Sequence, residues 1–440
     1  MLIHHAMLIA LGAEKQIIPD GALLIHKGLI KDIGSSADLV KRYSPEERLD
    51  AGGLWLLPGF ICAHSRMSRS LARGMTFPGP DLVSSGGMMT EFWQRYAKVL
   101  DYETIRYSTL LSCLEAIRFG TTLVFDLLSS PNAIRFALDA VAEAVLQCGL
   151  RASMSFTVSD RDGTADGRAA VDENTRFAGR VSATPLLSAA MGLDSCHQVS
   201  DTTLALAVGA AALGRLGFHG LVGESMYARR DCMVSYGLTP CARLRRWGVL
   251  GKRTLLAGAV HLDQEEEDLL VRAGGWLVHN PRADMLAGVG LAPIPQYLAR
   301  GARVCLGSDG MALDMLSELQ AAYLLQRHAG ASGQALSPLQ AAGLLTNSNA
   351  AMASVSLGHQ VGKLTVGALA DLILVRPFNA APPTHESLAG QLVLGGAGLV
   401  VDTVIVSGRI LLRHGDFQTM DADQVVANAR AVTADIWRRL

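Results

Sequence analysis

The chain carries little charge and no excess of either sign. Asp, Glu, Lys and Arg make up 18% of 440 residues, and 39 basic against 40 acidic side chains leave a formal net charge of −1. That balance removes the electrostatic basis for nucleic acid, an acidic substrate or a membrane surface as partner. A small molecule or another protein remains. No uncharged apolar run approaches the roughly 18 residues of a membrane span; the stretch Thr202–Leu213 is too short and is soon followed by Arg215. The segment Met1–Ala10 lacks a basic n-region, carries His4 and His5, and reads as a strand. A soluble, cytoplasmic chain is expected. Cysteine is present but unpatterned: Cys62, Cys113, Cys148, Cys196, Cys232, Cys241 and Cys305 are odd in number and scattered, with no C-x-x-C pair. A thiolate zinc site is thereby disfavoured, and the thiols read as reduced core residues.

What is present is a regular alternation. Half the residues are hydrophobic. Apolar strand-like runs recur at Gly59–Ala63, Thr121–Leu127, Arg151–Val158, Ser182–Ala190, Gly217–Gly223, Thr254–Val260, Trp276–His279 and Arg303–Gly307, each followed by a helical pattern. Near-continuous apolar strands alternating with helices are what a parallel sheet buried on both faces requires. Eight of them close into a barrel. The clearest helices are Tyr102–Phe119, stopped by Gly120, and Glu265–Ala273, stopped by Gly274 and Gly275. Short strands flank the alternation at both ends: Met1–Ala10, Gly21–His26, Leu29–Ile33 and Gly53–Leu57, then Asp371–Val375, Val401–Val406 and Ile410–Leu412. The predicted fold is therefore α/β: a (β/α)₈ TIM barrel over 58–359, a small β-sandwich domain built from 1–57 plus 360–415, and a C-terminal helix in 416–440.

In such barrels chemistry sits where strands end at the C-terminal face. The run Leu57-Pro58-Gly59-Phe60-Ile61-Cys62-Ala63-His64-Ser65-Arg66 resembles the first-strand signature of amidohydrolases, P-G-[LF]-[IV]-x-x-H-x-H. Further stretches resemble the chlorohydrolase and aminohydrolase (deaminase) group, SsnA-like members in particular: Val158–Gly163, Val260–Asp263, His279-Asn280-Pro281, Leu306–Met311 and Val401–Gly408. The resemblance covers nearly the whole chain. It implies a divalent metal held by the H-x-H pair, a strand-five histidine and a strand-eight aspartate, with a strand-six histidine orienting the water and a glutamate shuttling protons.

Carried onto this chain, His64 and Asp309 match ligands and Glu224 matches the proton shuttle. The second histidine position holds Arg66, the strand-five ligand position holds Leu221 in Gly217-Phe218-His219-Gly220-Leu221-Val222-Gly223-Glu224, and the strand-six position holds Gly258. Asp194 stands where a histidine would follow Gly192-Leu193, and Asp126-Leu127-Leu128-Ser129-Ser130 replaces a histidine-bearing stretch. Two ligands fall short of the three that a catalytic zinc site needs. His64, Asp309 and Glu224 thus read as a vestigial catalytic set. No tight cofactor is expected; any divalent ion such as zinc or iron is expected to be weakly held. His219 faces the same side of its strand as Leu221 but about 6.6 Å deeper. His261 and His279 read first as structural histidines bonded to loop backbone and, together with Asp194, second as pocket candidates. An Arg66–Asp309 ion pair is expected where the metal would sit, one cation replacing another.

The sequence leaves three functions open: a non-catalytic homologue acting as scaffold or regulatory subunit; an aminohydrolase with residual or altered C–N hydrolase activity on a purine- or pyrimidine-like substrate; and a binding protein for a small heterocyclic ligand. A homo-oligomer or a hetero-assembly with another protein is expected.

Overall fold

The computed structural model describes residues 1–11, 16–75, 86–330, 336–376 and 381–440. Eight parallel strands form the barrel wall: Phe60–Ser65, Thr121–Leu128, Arg151–Val158, Met191–Leu193, Phe218–Val222, Thr254–Gly258, Trp276–His279 and Arg303–Leu306, hydrogen-bonded in that sequential order. The eighth returns to the first, because the backbone N–H groups of Ser308 and Asp309 donate to the His64 carbonyl at 2.7 and 3.2 Å. Period-two patterning sorts the side chains. Ile61, Ala63, Leu123, Phe125, Leu255, Ala257, Trp276 and Val278 form one buried cluster with Cys305, Ala350 and Met352. Their neighbours Phe60, Cys62, Val124, Leu256, Leu277 and Val304 join the larger core instead.

The run Ser182–Ala190 is the one strand placed wrongly by the sequence reading. The preceding helix Thr164–Val181 carries on to Ser182, and the strand begins only at Leu187, in two pieces, Leu187–Ala189 and Met191–Leu193. Apolar content alone does not separate a helix end from a strand start. Helix boundaries fall where capping chemistry puts them. Asp101 and Thr104 form a capping box for Tyr102–Arg118, Asp263 and Glu266 do so for Gln264–Ala273, and Gly274 ends the latter at φ +71°.

Both chain ends build one further sheet. Its nine strands include Leu2–Ile9, Ile17–His26, Leu29–Ser35, Arg48–Asp50 and Trp55–Pro58 from one end and Leu372–Arg376, Val400–Val406, Arg409–Arg413 and Asp416–Phe417 from the other. The two ends meet where Trp55–Pro58 pairs antiparallel with Leu372–Arg376. The final helix, Ala422–Arg439, packs on Tyr102–Arg118. Among the described residues no helix is long and apolar enough to cross a membrane.

Candidate active site

The C-terminal ends of the barrel strands bring His64, Arg66 and Asp309 together. Asp309 follows the eighth strand with φ +41°, a left-handed backbone that turns its carboxylate inward. Its Oδ1 accepts from Arg66 Nε at 2.9 Å and from Arg69 Nη1 at 3.3 Å, and lies 3.2 Å from His64 Nε2. Burial by itself would raise the Asp309 pKa, but Arg69, the His64 hydrogen bond and Arg66 outweigh it and hold the carboxyl well below its ordinary range. The expected Arg66–Asp309 ion pair is thus present.

Arg69 was not singled out in the sequence. Its signal is spacing: Arg66 caps the 3₁₀ helix Met67–Ala72. With three residues per turn, positions 66 and 69 then point the same way. Arg69 also stacks over the Trp93 ring at 4.2 Å.

His219 stands much closer to the mouth than its depth along strand five suggested, with Nε2 2.8 Å from His64 Nδ1. Strand stagger in a closed barrel brings an inner residue of one strand level with the end of another. Burial, against the pull of Asp309, pushes both imidazoles below their ordinary pKa and favours their neutral forms. With His64 donating from Nε2 to Asp309, its Nδ1 must accept from His219 Nε2. Ser155 Oγ, which donates to the Asp126 carbonyl at 3.0 Å, lies 3.2 Å from His219 Nδ1.

The remaining candidates stand around this cluster. Leu221 packs on the apolar barrel interior. Glu224 follows strand five; its Oε2 is buried without a partner, and burial raises its pKa. Asp194 accepts from Arg161 Nη2 at 2.6 Å and from the Ser195 backbone at 2.8 Å. Gly258 ends strand six at φ +100°, and a Cβ there would lie 2.8 Å from Glu224 Cβ and 3.0 Å from the Val222 carbonyl oxygen. His261 is bonded through Nε2 to the Val289 carbonyl at 2.7 Å. His279 is buried at the end of strand seven, with Asp284 Oδ2 3.5 Å from Nδ1. A small cavity lined by Ser153, Ala189, Gly217, Phe218 and Arg253 opens toward the N-terminal end of the strands and reaches His219 from below.

Asp126 lies two residues before the end of strand two. One carboxylate oxygen accepts from the Met67 N–H at 2.7 Å and the other is buried without a partner. Burial pushes its pKa up to about 7 against the opposing pull of the Met67 N–H, Arg66 and Arg69. A raised folded-state pKa means the protonated form favours the fold. That contribution is complete below the unfolded value near 4 and is lost as pH rises through 7. Urea unfolding at pH 5 and pH 8 should show part of this loss, at most about 2–3 kcal/mol, in the wild type and a smaller one in Asp126→Asn. Equal losses in both proteins would remove Asp126 as the cause.

Comparison with known proteins agrees with this architecture. A sequence profile described as the amidohydrolase family matches residues 55–411. The chain is 31% identical to a 5-methylthioadenosine/S-adenosylhomocysteine deaminase of Moorella thermoacetica, covering 93% of this chain and 94% of that one. It is likewise 31% identical to a 5'-deoxyadenosine deaminase of Methanothermobacter thermautotrophicus, covering 96% and 97%. Its fold is similar to that of a zinc-bound adenosine deaminase from Xanthomonas campestris, with TM-score 0.85, 24% identity, and 100% and 98% of the two chains covered. An atrazine chlorohydrolase from Arthrobacter aurescens, complexed with zinc, aligns at TM-score 0.82 and 23% identity over 98% and 99%. With the profile spanning most of the chain and the barrel carrying His64 and Asp309 at its mouth, this chain belongs to the amidohydrolase family.

Proposed function

We propose that this chain is an amidohydrolase-family protein without the metal-dependent hydrolysis that the family signature implies, and that it serves as a scaffold or regulatory subunit. One observation carries the reading: Asp309 Oδ1, on the one carboxylate that matches a ligand position of the family, is already shared by Arg66, Arg69 and His64 at 2.9, 3.3 and 3.2 Å. The donor set does not fit a catalytic divalent ion. One imidazole and one carboxylate remain where three protein ligands are needed, and two guanidinium groups stand against a further positive charge. His219 does not restore the count, because its Nε2 is engaged with His64. Among the described residues, no group of three His, Cys, Asp or Glu ligand atoms converges at the barrel mouth. Glu224 keeps its place, but without a metal-activated water it would have no proton to move.

The test is ammonia release by the purified chain, offered adenosine and 5'-deoxyadenosine with and without added zinc. No release above the blank is expected in either condition. Sustained turnover that disappears in Glu224→Gln would overturn the proposal. That outcome would establish the second reading, an aminohydrolase acting on an adenosine-like nucleoside. This reading is favoured by the near full-length similarity to two proteins named as deaminases of such compounds and by the retained glutamate. A rise in unfolding midpoint with a purine nucleoside, without ammonia release, would instead favour a binding protein.

A further inference from the structure

A second cluster of metal-ligating side chains lies in the sheet built from the chain ends. His4 and His5 are consecutive in the strand Leu2–Ile9, where side chains should alternate between faces. Here they do not. His5 adopts φ +52°, and the pairing with the next strand is irregular between Ile3 and Ala6. The two imidazole Nδ1 atoms thereby converge to 3.0 Å, and His5 Nδ1 lies 3.1 Å from Asp50 Oδ1. Asp50 is placed by the parallel pairing of His4 with Asp50 and oriented by the Gly52 N–H, which donates to its Oδ1 at 3.0 Å. His5 is anchored by its own N–H, which donates to Ser36 Oγ at 2.8 Å.

We propose that His4, His5 and Asp50 form a surface site for one divalent transition ion of the zinc, nickel, copper class. Three ligand atoms lie within 4.8 Å of one another. Left to themselves they are poorly matched: a single proton on His5 Nδ1, shared between His4 Nδ1 and the carboxylate, is the most that three acceptors can arrange. An ion about 2.0–2.2 Å from each takes all three lone pairs at once, with water completing its shell. Two imidazoles select borderline ions over magnesium or calcium, which prefer oxygen alone. Occupancy would clasp the strand Leu2–Ile9 to Arg48–Asp50. The site shares no residue with the barrel mouth, so it stands independently of the function proposed above.

The experiment uses the full chain free of any histidine tag, stripped with chelator and dialysed against micromolar zinc. Elemental analysis is expected to find one zinc per wild-type chain and a loss of most of it in the His4→Gln/Asp50→Asn double variant. Copper loaded in place of zinc should show hyperfine coupling to two nitrogens in the wild type. Asp50→Asn keeps an acceptor for Gly52, and circular dichroism checks that the variant folds. Wild-type protein that takes up no zinc overturns the inference. So does a folded double variant with undiminished zinc; if that zinc then leaves in Asp309→Asn, the ion sits at the barrel mouth and the proposed function falls with it.

Discussion

Arg151→Ala is expected to destabilise the chain by about 3–5 kcal/mol, because it leaves Asp371 as a buried carboxylate without its cation. Arg151 opens barrel strand three, and Asp371 immediately precedes the small-sheet strand Leu372–Arg376. Both side chains are essentially buried, with 3% and 1% of their surface exposed. The guanidinium is bidentate, Nε to Oδ2 at 2.6 Å and Nη2 to Oδ1 at 3.1 Å, and its Nη1 donates to the Pro185 carbonyl at 2.6 Å. Asp371 Oδ1 also accepts the Ser407 N–H at 2.8 Å, and the Asp371 carbonyl accepts from Gly59 N at 2.9 Å. One ion pair therefore joins the barrel wall to strands from the far end of the chain. Chemical denaturation should show the loss directly. The double replacement Arg151→Met/Asp371→Leu should cost much less than the single change, since two neutral side chains leave no charge stranded. A single variant within about 1 kcal/mol of wild type would refute the pair's structural weight.

Gly258→Ala is expected to cost about 2–4 kcal/mol, combining left-handed backbone strain with overpacking. At φ +100° a side chain is disfavoured before any contact is considered, and the new Cβ would meet Glu224 Cβ at 2.8 Å, Glu224 Cα at 3.0 Å and the Val222 carbonyl oxygen at 3.0 Å. Two of those three neighbours are backbone atoms, which cannot step aside by changing rotamer. The same geometry bears on any attempt to rebuild the family's ligand set. Arg66→His and Leu221→His replace side chains on ordinary backbone, whereas Gly258→His must move the strand end that carries Glu224. Unfolding midpoints should therefore fall much further for Gly258→His than for Arg66→His/Leu221→His. A Gly258→Ala protein as stable as wild type would mean that this strand end moves freely.

Much of the architecture was legible because it follows from local rules. The βα alternation, the capping residues Asp101 and Asp263 and the glycine stop at 274 act within a few residues of themselves. The failure at Ser182–Ala190 arose where the helix-to-strand transition depended on which neighbour the segment would pair with. At the mouth, Arg66, Leu221 and Gly258 stood out against the motif they interrupt. Arg69 was hidden because its role depends on a 3₁₀ turn that an apolar pattern does not announce.

By itself the sequence determined the order of elements, the placement of His64 and Asp309 at strand ends, and which motif positions hold other residues, since each is a property of neighbouring residues and their periodicity. Only the tertiary structure decided that His219 joins that cluster, that Arg151 meets Asp371 across 220 positions, and that position 258 has no room for a side chain. These depend on barrel closure, which sets strands far apart in the chain side by side at a stagger no local pattern encodes.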